Sequence, residues 1–126
     1  MDSPITGVLV DVCNNTIQKK TLDGTLQGFY SALNCDCIDI TTRSINGRVF
    51  DFVCDDEALL KPHPRVSAID SKHDPMLVGN LFICSSDEEG ASVSIDDEDV
   101  DHIKENILGC ISGFEMYGVV GNVEYV

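Results

Sequence analysis

The sequence predicts an α+β domain in which two helices pack on a small mixed or antiparallel sheet of about five strands. Runs rich in Val, Ile, Leu and Phe recur near residues 7–13, 37–54 and 76–84 at strand-like lengths. Apolar residues stand three and four apart over 22–33 and again over 96–108, the spacing of one buried helical face. Asn46-Gly47, set between two alternating runs, is a two-residue hairpin signal. A chain of 126 residues, 43% apolar and with a mean hydropathy of +0.02, holds one core rather than two. A single domain is therefore expected over 1–126, with its core at 5–108 and a glycine-rich, β-leaning tail at 109–126.

Gly7–Cys13 opens the fold as a strand ended by Asn14-Asn15, with Thr16–Lys20 as its hairpin partner. Leu22, Leu26, Phe29, Tyr30 and Leu33 then form the apolar face of a first helix, with Asp23 near its start. Gly24 and Gly28 weaken that helix by about 1 kcal/mol each, so packing has to compensate. Cys37–Thr42 and Arg48–Cys54 flank Asn46-Gly47 as the arms of a hairpin. Pro62 and Pro64 hold the next segment extended, and Ser67–Pro75 reads as a loop.

Met76–Cys84 is nearly continuous in apolar residues, as a single buried strand would be. Ser85–Gly90 turns the chain and Ala91–Ile95 alternates as a short strand. Asp96 is a natural N-cap for a second helix reaching Leu108, with Val100, Ile103, Ile107 and Leu108 inward. Asp97, Glu98 and Asp99 fall in its first turn, where the helix dipole favours carboxylates. The tail is expected to add an edge strand or hairpin.

Acidic residues number 22 against 8 Lys and Arg, which gives a formal charge of −14 and a pI of about 4.2. Binding to nucleic acid or to an anionic membrane needs a basic stripe that releases counterions, so neither is expected. A basic protein surface is the partner such a field attracts. The start MDSPITGVLVDV has no basic and apolar leader pattern, which predicts a cytoplasmic protein. In that reducing compartment the six cysteines act as small core thiols.

The order of these segments carries a resemblance. Ile38-Asp39-Ile40, Phe52–Ala58 with its Cys54-Asp55-Asp56-Glu57 turn, the Pro62–Arg65 loop and Gly79-Asn80-Leu81-Phe82 follow one another. This resembles a small domain-of-unknown-function family carried by phages and conjugative elements of bacteria. There an I-E-V strand, a C-N-E-E-G turn, a P-x-N-R loop and a G-x-x-F strand occur in the same order. The resemblance spans roughly Ile5–Ile107. It implies an accessory protein of a mobile element in bacterial cytoplasm, with no established catalytic residues, and it places the family's arginine at Arg65.

Half of the 22 acids sit in two short clusters. Asp55, Asp56 and Glu57 form one; Asp87, Glu88, Glu89, Asp96, Asp97, Glu98, Asp99 and Asp101 form the other, with no Lys or Arg among them. A partner-binding surface that imitates nucleic acid phosphates is one reading, and solvated loops with helix-dipole matching is the other. A calcium loop is disfavoured because Asp87-Glu88-Glu89-Gly90 lacks the alternating carboxylates and the terminal glutamate. Cys35 and Cys37, at strand spacing, can be joined on paper with Cys54 or Cys84 and a histidine as a zinc site, but no C-x-x-C pair is present. A nucleophile built from Cys54 or Cys84 with His63 or His73 and Asp74 matches no mechanistic motif. Lys61, His63 and Arg65, on a proline-stiffened loop, are the alternative ligand-binding residues.

The expected function is a non-enzymatic binding protein, without cofactor or metal, that inhibits a nucleic-acid-binding host protein through its acids. The alternatives are a domain that sequesters a nucleotide-like ligand near Lys61 and Arg65, and a structural or assembly protein whose charge serves solubility.

Overall fold

The computed structural model describes residues 3–126. Strand β1 (Ile5–Asp11) and strand β2 (Thr16–Leu22) form the opening hairpin. In its turn Asp11 Oδ1 accepts from the backbone N–H of Cys13 and of Asn14, both at 3.0 Å. Helix α1 (Leu26–Leu33) begins four residues later than the apolar spacing suggested. Leu22 is held in β2 opposite Ile5, and Thr25 caps the helix by accepting from Gly28 N at 3.0 Å.

Strand β3 (Ile38–Ile45) and strand β4 (Arg48–Asp55) form the hairpin expected at Asn46-Gly47, whose φ angles of 48° and 88° match a primed turn. A short 3-10 helix follows at Ala58–Leu60. Then come β5 (Val66–Ile69), β6 (Pro75–Val78), β7 (Leu81–Ser86) and β8 (Ser92–Val93). Helix α2 (Asp97–Glu105) is capped by Asp96, which accepts from Asp99 N at 2.8 Å. The chain ends in β9 (Ile107–Ser112), β10 (Glu115–Val120) and β11 (Val123–Tyr125).

These strands make two sheets, one of seven strands and one of four, so the expected five-stranded α+β domain is corrected to a mostly β fold with two helices. The larger sheet runs β11-β3-β4-β7-β1-β2, with β8 paired to the end of β7; the smaller runs β6-β5-β10-β9. The smaller sheet is assembled from segments whose strand signal is weak. Within the supposed loop, β5 spans only four residues and meets β6 with register shifts, so it shows no clean alternation. In the tail, Gly118 interrupts the apolar pattern of β10 because Ile17 of β2 lies there: a Cβ would come within 3.0 Å of its Cδ1.

The single long strand expected at Met76–Cys84 is also corrected. The chain breaks at Gly79-Asn80, sending β6 into the smaller sheet and β7 into the larger. Gly79 has φ of +84° and an added Cβ would sit 2.6 Å from that of Ala58, so only glycine fits this break. Likewise Ile107 and Leu108 belong to β9 rather than to the end of α2.

Period-two alternation divides the core. Val8 and Val10, Phe50 and Phe52, and Leu81 and Ile83 project from one face of the larger sheet. They pack with Val100 and Ile103 of α2 and with Ala68 and Val120 of the smaller sheet. Leu9, Val53 and Phe82 project from the other face onto Phe29 and Leu33 of α1. Phe29 and Phe82 rings lie 5.9 Å apart between centroids at 60°, a tilted aromatic pair.

Asn80 ties these parts together. It is buried; its Oδ1 accepts from Val12 N at 2.8 Å and its Nδ2 donates to Leu33 O at 3.0 Å, joining the ends of β1 and α1 to the start of β7. Asn80→Ala leaves two buried backbone groups unsatisfied, each costing about 1–3 kcal/mol. Urea denaturation should therefore show a loss of about 3 kcal/mol. The last strands are equally integral, since Val119, Val120 and Val123 are fully buried and β11 pairs with β3. A chain cut after Leu108 should lose its cooperative melting transition, measured by circular dichroism.

Candidate functional site

The Gly79-Asn80 break also shapes a cleft of about 90 Å³ between the ends of β1, α1 and β4 and the 58–65 segment. Cys13, Asp55, Lys61, His63, Arg65 and Asn80 line it, so the three residues of the proline-stiffened loop do come together. Their charges are already engaged. Lys61 Nζ lies 2.5 Å from Asp55 Oδ2 and donates to Asn34 O at 2.8 Å, and the hydrogen bond to Asp55 raises the lysine's affinity for its proton. Arg65 pairs with Glu115 and stands over the Tyr117 ring at 5.3 Å. His63 is exposed on a turn with φ of +56°. Pockets for drug-sized ligands span about 300–1,000 Å³, so this cleft is small beside one that would enclose a nucleotide.

The two acidic clusters lie at opposite ends of the larger sheet. Strand β4 pairs with β7 as Asp51 with Cys84 and Cys54 with Leu81. Asp55 thus leaves the sheet at the end where β7 begins, and Asp87 leaves at the end where Arg48 begins β4. Seven residue steps of about 3.3 Å put about 23 Å between those ends. Helix α2 starts at the Asp87 end, because Ile95 N bonds Thr6 O and Asp99 pairs with Arg48 at 3.0 Å.

Within the clusters, five acids are occupied by the fold itself. Asp55 is buried against Lys61 and also accepts from Glu57 N at 3.0 Å. Asp87 accepts from Glu89 N and Ala91 N, both at 2.9 Å, to close its turn. Asp96 is the helix cap. Asp97 bonds Lys19 at 2.6 Å, which holds its carboxyl below the usual carboxylate range, and Asp99 holds Arg48. Asp56 and Glu57 at one end, and Glu88, Glu89, Glu98 and Asp101 at the other, are exposed and form no ion pair among the described residues.

The cysteines do not converge. Cys35 is buried and Cys37 exposed, and Cys37 precedes β3 rather than lying in it. Cys54 faces the core between the sheets while Cys84 faces α1. Among the described residues no three His, Cys, Asp or Glu side chains are grouped to hold a metal ion. Burial, with Asp39 adding, pushes the Cys54 thiol up to about 11; burial, with Asp51 adding, pushes Cys84 up to about 12. Both stay protonated and unreactive near neutral pH. His73 sits in a turn closed by Asp70, which accepts from Asp74 N at 2.9 Å, and no hydrogen bond joins the Asp74 carboxylate to an imidazole among the described residues.

Two features went unmarked in the sequence reading. Asn80 is the polar interruption of the apolar run Met76–Cys84, and that interruption is its signal in the sequence. The β9–β10 hairpin exposes Ile111, Phe114 and Met116 around Gly113, where apolar residues flanking a glycine in an acidic chain were the sign.

An unfolded thiol ionises near pH 8.5, whereas the folded Cys54 and Cys84 hold their protons to about 11 and 12. Between those values the unfolded chain binds fewer protons, so stability is full below about pH 8 and falls as pH rises. Urea midpoints should drop from about pH 8 to about pH 10, and the drop should shrink in Cys54→Ala. A midpoint that ignores pH would contradict the buried thiols.

The model of a family described as a domain of unknown function (DUF3846) matches residues 5–108. That span runs from the start of β1 into β9. No curated protein and no solved structure matches the chain. No helix among the described residues is long and apolar enough to cross a membrane.

Proposed function

The chain belongs to the DUF3846 family, and we propose that it is a non-catalytic binding protein whose acidic end docks on a basic protein surface. That end comprises Glu88, Glu89, Glu98 and Asp101, on the 87–91 turn and the outer side of α2. The carrying observation is that these four carboxylates are exposed and, among the described residues, unpaired on one end of a chain of charge −14, while the neighbouring acids are consumed by caps and ion pairs. Unneutralised carboxylates on a rigid helix start present fixed negative charge in the manner of a phosphate backbone. The partner is then a protein whose basic groove otherwise holds nucleic acid. The setting we assign is the bacterial cytoplasm and a phage or mobile element, on the strength of the sequence resemblance.

The nucleotide-sequestering alternative is less well supported, because the cleft is small and its Lys61 and Arg65 are already paired.

Binding to a basic nucleic-acid-binding protein, first captured from bacterial lysate and then purified, tests the proposal by calorimetry. Combined Glu88→Gln, Glu89→Gln, Glu98→Gln and Asp101→Asn should weaken binding about tenfold or more, and rising salt should do the same. Asp56→Asn with Glu57→Gln, at the far end of the sheet, should leave it unchanged. Duplex DNA should compete. Binding that ignores the fourfold change, or that coexists with bound DNA, overturns the reading.

A further inference from the structure

The strand edges of this fold are not equally guarded. A free edge presents unpaired N–H and C=O groups that template another strand, and proteins blunt it with lysine, proline, irregular register or short length. Strand β2 carries Lys19 and Lys20. Strand β6 starts at Pro75 and meets β5 with register shifts. Strands β11 and β8 are three and two residues long, and β11 bears Glu124.

Strand β9 has none of these devices. Its six residues, Ile-Leu-Gly-Cys-Ile-Ser, contain no charge and no proline. They pair with β10 in unbroken register from Ile107 opposite Val120 to Ser112 opposite Glu115. Strand β10 is its one strand neighbour among the described residues, which leaves its other side open. At the end of the same hairpin, Ile111 is 72% exposed, Met116 67%, and Phe114 fully exposed. Three adjacent large apolar side chains in solvent mark an interaction surface rather than scattered exposure.

We infer that β9 is the site at which a second copy of this chain adds, antiparallel, to make one continuous eight-stranded sheet across a two-fold axis. Charge selects this surface. Two chains of −14 repel wherever carboxylates face one another, but 106–114 carries no acidic or basic residue. Glu115, next along the chain, is already paired with Arg65.

Symmetry selects the register. A two-fold axis normal to an antiparallel sheet sets residues of like parity opposite each other, because opposed side chains share a face. Centring on Gly109 places Ile111 of each copy opposite Ile107 of the other, and Cys110 opposite Leu108. This arrangement covers Ile111 with apolar neighbours, and because it is self-complementary it closes at two copies. It is independent of the acidic end at Glu88–Asp101, and the two respond to salt in opposite ways: screening strengthens contact between like-charged copies and weakens a contact with a basic partner.

Sedimentation equilibrium of the full chain over a range of concentrations, at low and high salt, tests the inference. A monomer–dimer equilibrium that tightens with salt is expected. Ile111→Lys, which places two ammonium groups across the joint, should raise the dimer dissociation constant about tenfold or more. Val49→Lys, on another exposed apolar residue, in β4, should not. Thermal melts of both variants at a concentration where the parent is monomeric, expected to match it because both sites are exposed, separate lost pairing from lost folding. Hydrogen exchange should slow at Gly109–Ile111 on dimerisation. A chain that stays monomeric in high salt overturns the inference. So does a dimer indifferent to Ile111→Lys, or one that slows exchange elsewhere and leaves β9 unchanged. A foreign strand bound at β9 of a monomeric chain likewise overturns it.

Discussion

The division of one apolar run between two sheets at Gly79-Asn80 is the constraint on which the rest of this fold depends. A continuous strand over Met76–Cys84 would leave β5 without its antiparallel neighbour. Turning at a left-handed glycine instead lets the same stretch edge one sheet and centre the other. The turn has a polar cost, because it ends the strands near Val12 and Leu33 with backbone groups inside the protein. Asn80 satisfies both with one amide, which presents an acceptor and a donor about as far apart as those two groups require.

What was legible in the sequence followed from local rules. The Asn46-Gly47 turn, the Asp96 cap and the β1–β2 hairpin depend on neighbouring residues alone, so they could be read directly. What was missed depends on distant partners. Ser67 and Ala68 look like loop residues until β10 arrives beside them, with Val120 opposite Ala68 in a parallel pairing that no local pattern announces. Leu22 satisfies the spacing of a helix, and only Ile5 opposite it in β1 places it in a strand. The candidate surface divides in the same way. The sequence located the acids, but not which of them the fold would use, because Lys19, Arg48 and Lys61 reach theirs from other elements.

Two surfaces of opposite character result. At one end, Glu88, Glu89, Glu98 and Asp101 stand exposed around α2 and form no ion pair among the described residues. On the smaller sheet, a strand without charge ends in exposed Ile111 and Phe114. One fold can carry both because the larger sheet supplies rigidity to each: α2 packs through Val100 and Ile103 on the face that also receives Val120 from β10.

The long reach of β10 and β11 has a consequence for the nascent chain. Both opening hairpins join near neighbours and can close soon after leaving the ribosome. Ala68 must wait for Val120, and Ile45 for Val123. With synthesis at about 5–20 residues per second, β3 and β5 spend seconds without their final neighbours. Throughout that interval the emerging polypeptide is already rich in carboxylates, whose mutual repulsion between ribosomes keeps the waiting strands of separate chains apart.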